Sequence, residues 1–222
     1  MINTRRNMAY RRNELMASRK QNGFSLLEMM ITLSIAMILI AVTFVTLQPA
    51  LNQNHVNTAY DTTLMALRTT RNLAIAQSNQ FYVNFNPGGF PAGTIQVEVQ
   101  PYNSAGVAQP IQQVITYSIP TDVSFATQGT FPATAPDSPP PLVTAGGALD
   151  FESTPGVALS PAYIVFYPDG SARDNLGNYV NGIAYITRLG SPIWGSKAIS
   201  VWGATGRIRG WTLNSPGTWV QQ

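Results

Sequence analysis

Residues 23–47 decide the fold of this chain, and they read GFSLLEMMITLSIAMILIAVTFVTL. The 24 residues that follow Gly23 contain a single charged side chain, Glu28. An α-helix rises about 1.5 Å per residue, so this run would span about 36 Å and could cross the hydrocarbon core of a bilayer. We therefore predict one transmembrane helix over residues 24–47.

The segment that precedes this run is strongly basic. Residues 1–23 hold six basic side chains against one acidic side chain. The whole chain has 13 basic and 10 acidic residues, so seven basic and nine acidic residues remain after position 23. Whole-chain charge is therefore no argument for nucleic-acid binding. The positive-inside rule instead predicts that this segment stays in the cytoplasm and that the C-terminal domain faces the periplasm.

Two common segments share this composition. A secretory signal peptide would have its cleavage site after the apolar run, with small residues there, whereas the candidate cleavage site in this chain lies before the run. A simple signal anchor is the alternative, but it gives no reason for a carboxylate five residues into the run. A carboxylate is costly in lipid, so Glu28 is expected to be paired or functional.

The stretch KQNGFSLLE, residues 20–28, resembles the processing site of type IV prepilins. The resemblance implies that residues 1–23 are a leader, that a membrane peptidase cleaves between Gly23 and Phe24, and that the same enzyme methylates Phe24. It also implies that Glu28 is an assembly residue, because its carboxylate can neutralise the amino group of Phe24 in a neighbouring subunit. An unpaired charge in the filament core would be costly.

A leader of 23 residues is long for this family. Translation from Met16 would give the eight-residue basic leader MASRKQNG, whereas Met1 and Met8 are the other candidate starts. We expect initiation at Met16.

Helical periodicity continues past the apolar run. Apolar residues recur at spacings that share one face of a helix, at positions Val56, Tyr60, Leu64, Leu67 and Ala74. The prediction is a helix over residues 24–80 with a transmembrane half and an amphipathic half. Pro49 removes a backbone donor and predicts a kink or local melting.

After Gln80 the apolar period changes to two, which is typical of strands. Candidate strands are 81–85, 95–99, 115–119, 162–167, 183–189, 197–202 and 207–213. Prolines and glycines predict a long surface loop over residues 126–148. The fold class expected is α+β: a long N-terminal helix packed on an antiparallel β-sheet domain, residues 81–222.

Two further stretches resemble the C-terminal domain of minor pilins, the family of pseudopilin H of type II secretion and of the FimT and FimU minor pilins. They are IVFYPDGS, residues 164–171, and the pair 198–201 and 206–209. The resemblance implies a pilin-like subunit of the inner membrane, incorporated at or near the tip of a type IV pilus or a type II secretion pseudopilus. Its partners would be other pilins or pseudopilins, the prepilin peptidase/methyltransferase and membrane lipid. The sequence does not choose between pilus, secretion and competence systems.

The C-terminal region suggests a second function. No acidic residue follows Asp174, whereas Arg188, Lys197, Arg207 and Arg209 do. Arg207 and Arg209, the arginine pair, would share one face of a strand and could contact phosphates. In the FimT-like branch the matching segment is implicated in DNA binding during natural transformation. The alternative is that these arginines cap carbonyls or pair with acidic residues elsewhere.

Enzyme and metal chemistry find little support in the sequence. There is one histidine, His55, and no cysteine, so neither a metal site nor most nucleophile–base pairs are expected. No cofactor is predicted. Asp169, Ser171 and Asp174 could suggest a calcium loop, but their spacing does not fit an EF-hand, and Pro-Asp-Gly favours a turn. Four tryptophans, at 194, 202, 211 and 219, are expected to pack in the core or, alternatively, to form a binding platform.

Overall fold

The computed structural model describes residues 23–86, 88–101, 103, 105–127, 131–132, 136–137, 148–154, 157–158, 162–188, 190, 195–215 and 217–222. The predicted leader up to residue 22 and most of the predicted loop 126–148 lie outside these residues.

One helix and twelve strands form the described part of the chain. The helix is α1 (Leu26–Gln77). The strands are β1 (Gln80–Phe85), β2 (Thr94–Gln100), β3 (Gln112–Ser118), β4 (Ser124–Phe125), β5 (Leu149–Thr154), β6 (Val157–Ala158), β7 (Tyr163–Phe166), β8 (Ala172–Arg173), β9 (Asn181–Thr187), β10 (Lys197–Trp202), β11 (Arg207–Asn214) and β12 (Thr218–Gln221).

Helix α1 ends three residues before the predicted boundary. Ser78 follows it with a φ of 51°, the left-handed conformation that commonly ends a helix. β1 begins two residues later. Pro49 lies inside the helix, so the local melting expected at this position is not found.

The chain divides into two compact units, residues 1–47 and 48–222. The second half of α1 therefore belongs to the same unit as the β-strands. The reason is burial: in this half, apolar side chains enter the core of the strand-bearing unit.

The predicted apolar stripe of the second helical half is buried. Val56, Tyr60, Leu67 and Ala74 are at most 7% exposed, and Leu64 packs against the same core. Burying such a stripe stabilises a helix that would be marginal by itself. The predicted α+β class, a long N-terminal helix packed on antiparallel sheet, is confirmed.

The strands form two antiparallel sheets. The first has the order β3-β2-β1-β7-β8. The second has the order β12-β11-β10-β9-β5-β6, and β4 also pairs with β9. Sequence periodicity missed β4, β5, β6, β8 and β12. Three of these strands, β4, β6 and β8, have only two residues, too few to show a period.

The main core lies between the second half of α1 and the facing sides of both sheets. It contains Phe81 and Val83 from the first sheet and Ile186, Ile199 and Val201 from the second. Side chains alternate along a strand, so the second sheet has an inner face towards this core and an outer face opposite. The outer face carries a smaller cluster formed by Ile183, Tyr185 and Ala198, with Phe131, Trp211 and Trp219 packed against it.

Candidate functional site

The residues at the predicted processing site are exposed. Gly23, Phe24 and Ser25 precede the helix, and the carbonyl oxygen of Ser25 accepts the first backbone hydrogen bond, from the amide of Met29 at 3.0 Å. Phe24 is 74% exposed. Glu28 lies in the first helical turn, where a carboxylate is favoured by the positive end of the helix dipole.

The first half of α1 is apolar and uncovered. Residues 23–51 are exposed throughout. Helix α1 contains a stretch that is long and apolar enough to cross a membrane, and no residue of this stretch is buried. Its few hydroxyl groups donate to carbonyl oxygens one turn earlier: Thr32 to Met29 at 3.0 Å, and Ser34 to Met30 at 2.7 Å. Thr43 and Thr46 do the same. These hydroxyl groups are therefore satisfied within the helix, and the segment presents a largely apolar surface, as a lipid environment requires.

The arginine pair lies on the outer face of the second sheet, where both guanidinium groups meet Asp137. Arg209 Nη1 is 2.8 Å from Asp137 Oδ1, and Arg207 Nη2 is 3.4 Å from the same oxygen. Asp137 Oδ2 accepts hydrogen bonds from Trp202 Nε1 at 2.6 Å and Ser200 Oγ at 2.9 Å. Asp137 itself is 7% exposed. This arrangement matches the alternative in which the arginines pair with an acidic residue elsewhere.

The other two cations predicted for a positive patch lie apart from the arginine pair. Lys197 points to the inner face, where Nζ donates to Thr212 Oγ1 at 2.8 Å and lies 5.3 Å from the ring centre of Tyr60. Burial lowers the pKa of Lys197. Arg207 and Arg209 face the opposite side of the same sheet, so the structure does not bring these residues together.

Arg188 contacts an acidic residue near α1. Its Nε atom is 2.7 Å from Asp122 Oδ2, and His55 Nδ1 is 2.8 Å from the same oxygen. The hydrogen bond from His55, followed by that from Arg188, lowers the pKa of Asp122. His55 and Arg188 thus act as partners of one carboxylate.

The turn between β7 and β8 and the turn between β10 and β11 both contact Arg71 of α1. Arg71 Nε donates to the carbonyl oxygen of Gly170 at 3.0 Å, and Nη2 donates to that of Thr205 at 3.2 Å. Gly206 has a φ of 58°, and a Cβ there would collide with the Gly170 carbonyl oxygen. The two stretches that resemble minor pilins are therefore neighbours, and only glycine allows their close approach.

The residues that could have suggested a calcium loop serve the turns. Asp169 Oδ1 accepts from the amide and the hydroxyl of Ser171, and Asp169 pairs with Arg173. Asp174 Oδ1 accepts from two backbone amides, those of Leu176 and Asn178. Within the described residues, no group of three or more potential metal ligands is present.

The described tryptophans take part in packing. Trp202 and Trp211 donate their indole N–H groups to Asp137 and Ser200, and Trp219 packs on Phe131 and Tyr185. Trp194 lies outside the described residues.

Sequence reasoning missed two groups of buried acids on the outer face. One is Asp137, whose partners lie 63 to 72 residues away. The other is Asp150 with Glu152, which are 3% and 7% exposed. Burial, followed by the charge of Glu152, raises the pKa of Asp150 to about 7. The alternation of acidic and apolar residues in β5 was the available signal for this second group.

Comparison with known proteins identifies the N-terminus. Residues 18–44 match the family model described as the prokaryotic N-terminal methylation motif. The predicted prepilin-like N-terminus is confirmed by this match. No curated protein is similar in sequence.

Two solved structures are similar to about three quarters of this chain. The minor pseudopilin EpsH from the type 2 secretion system of Vibrio cholerae is 10% identical, with a TM-score of 0.38 over 75% of this chain and 94% of that chain. The type IV minor pilin FimU of Pseudomonas aeruginosa is 12% identical, with a TM-score of 0.41 over 76% of this chain and 95% of that chain. Identities of 10% and 12% with TM-scores of 0.38 and 0.41 do not indicate the function of this chain.

Proposed function

We propose that this chain is a minor pilin or pseudopilin, a structural subunit incorporated at or near the tip of a type IV pilus or a type II secretion pseudopilus. One observation carries the proposal. A methylation motif that contains Gly23, Phe24 and Glu28 overlaps the start of an apolar helix segment that is not buried within the described residues.

Before assembly, residues 24–47 anchor the subunit as a single pass of the inner membrane, with lipid around the exposed apolar side chains. The basic leader holds the N-terminus in the cytoplasm, so unit 48–222 lies in the periplasm. After assembly, the same apolar surface contacts the helices of other pilins or pseudopilins.

Cleavage after Gly23 by a prepilin peptidase exposes the amino group of Phe24, which the enzyme methylates. In the filament, this cation is neutralised by Glu28 of the adjacent subunit, because a buried charge without a partner is costly. The role of the chain is structural. Internal cations engage the buried carboxylate of Asp137 and the partly exposed carboxylate of Asp122.

N-terminal mass analysis of the membrane fraction tests the processing step. The expected mature chain begins at methylated Phe24. A mature protein that keeps residues 16–23 would contradict the proposal.

Substitution of Glu28 tests assembly. Glu28→Ala is expected to leave insertion and cleavage intact but to reduce incorporation into filaments, measured by immunoblotting of sheared filaments. Thr32→Ala, one turn further along the same exposed segment, is the matched control and should assemble normally. Normal incorporation of Glu28→Ala would favour a simple anchor.

A further inference from the structure

A pocket of about 400 Å³ lies between the second half of α1 and the turn that joins β10 to β11. Three of its seven lining residues are arginines and none is acidic. The lining residues are Arg68, Arg71, Asn72, Thr205, Gly206, Arg207 and Ile208.

Arg71 is held in a fixed orientation at this pocket. Its Nε–H and one Nη2–H are engaged by the carbonyl oxygens of Gly170 and Thr205. A guanidinium has five N–H donors in a planar fork, so these two bonds orient the donors that are left. Such preorganisation lowers the entropic cost of binding a ligand.

Arg68 brings a second positive charge to the same helix face. It lies three residues before Arg71, a spacing at which like charges on a helix destabilise each other. Among the described residues, no ion pair involves Arg68 or Arg71, whereas the charge of Arg207 is balanced by Asp137. An anion in the pocket would remove the repulsion between the two helix arginines.

Neutral donors complete the lining. The hydroxyl oxygen of Thr205 accepts from the backbone N–H of Arg207 at 3.3 Å, so its own proton can be donated to a ligand. Asn72 of α1 also lines the pocket, and its side-chain amide can donate two further hydrogen bonds. Charged and neutral donors that converge in a concave site are typical of binding sites for oxygen anions.

We propose that this pocket binds an oxyanion, a carboxylate or phosphate group, through Arg68 and Arg71. The site lies wholly within unit 48–222, so the inference does not depend on processing or on assembly into a filament. Arg207 lines the pocket and also contacts Asp137, whereas Arg209, the other partner of Asp137, does not line the pocket.

Isothermal titration calorimetry on the full chain in a non-ionic detergent tests the site. The two probes are inorganic phosphate and a tri-glutamate peptide, each at low ionic strength. Saturable binding of at least one probe is expected. Arg68→Gln should weaken it about tenfold or more, because a charge-assisted hydrogen bond is lost. Arg68→Lys keeps the charge without the fork and should give an intermediate affinity.

Arg209→Gln is the matched control, since it removes an arginine that does not line the pocket, and it should bind as the wild type does. Phosphate binding alone would identify a phosphate ligand, and peptide binding alone a carboxylate ligand. Melting curves establish that each variant is folded. No saturable binding of either probe, or equal affinity in wild type and Arg68→Gln, would overturn the proposal.

Discussion

Arg209 and Asp137, which are 72 positions apart in the sequence, form a 2.8 Å ion pair on the outer face of the second sheet. The carboxylate is buried, whereas the arginine side chain is 33% exposed. Asp137 also binds Ser200, Trp202 and Arg207. The side chain of Asp137 therefore connects its own part of the backbone to strands β10 and β11.

Removal of Asp137 should destabilise the fold. In Asp137→Ala, the indole N–H of Trp202 loses its acceptor, and the two arginines lose their counter-charge, so the free energy of unfolding should fall by about 1–3 kcal/mol. Urea denaturation of wild type and variant measures this difference in the free energy of unfolding. Asp61→Ala, at an exposed acidic residue of α1, is the control and should change the stability by less than about 0.5 kcal/mol. Equal stability of the two variants would show that the Asp137 contacts contribute nothing.

The arginine pair distinguishes a structural from a DNA-binding role. Since both guanidinium groups are engaged by Asp137, replacing Arg207 and Arg209 with Gln should lower the melting temperature and leave DNA retention unchanged. The measurements are a melting curve and a titration with duplex DNA at two salt concentrations. Salt-sensitive binding by the wild type that is lost in a stable double variant would instead support the DNA-binding alternative.

Truncations of α1 on either side of its first buried side chains should differ in whether the remaining fragment folds. A fragment of residues 51–222 keeps Val56, Ala59 and Tyr60, which are 5%, 0% and 7% exposed, so it should be soluble, β-rich and cooperatively folded. A fragment of residues 61–222 lacks all three and uncovers the core, so it should aggregate or lose its sharp melting transition. Circular dichroism measures the secondary structure and melting of the two fragments, and size-exclusion chromatography measures their aggregation. A molten 51–222 fragment would contradict the packing of α1.

The buried acids of β5 should make stability depend on pH. Asp150 has a folded-state pKa of about 7, above the ordinary value of 3.8. Between these values the unfolded chain is ionised while the folded chain keeps its proton, so this contribution to stability is present at low pH and is lost as the pH rises through 7.

Asp150→Asn mimics the protonated acid and lacks this titration. The melting temperature of the wild type minus that of Asp150→Asn should therefore fall between about pH 4 and pH 7 and be constant above it. The pKa values of Asp122 and Asp169 are lowered, so their contributions to the stability of the fold are lost at low pH. Both residues are present in both proteins, and their contributions therefore cancel in the difference. A difference that is constant from pH 4 to 7 would refute the raised pKa.

Several features of the fold could be predicted because they are local in the sequence. The apolar run before Gln48, the stripe through Val56 and Leu67, and the alternation in β1 and β2 each extend over several residues, and such local patterns indicate which faces are buried. The turn at Gly170 was recognised from Pro-Asp-Gly, but its contact with Arg71 was not, since 99 residues separate Arg71 from Gly170.

The sequence by itself determined the processing motif, the apolar helix and the α+β class, because short motifs and hydrophobic periods are encoded by neighbouring residues. Only the tertiary structure decided what the cations do. Arg207 and Lys197 look alike in a charge count, yet strand register places them on opposite faces of one sheet, and a carboxylate from residue 137 engages the first. Electrostatic partners are set by distance in space, and a distance between residues far apart in sequence is fixed only when the sheets pack.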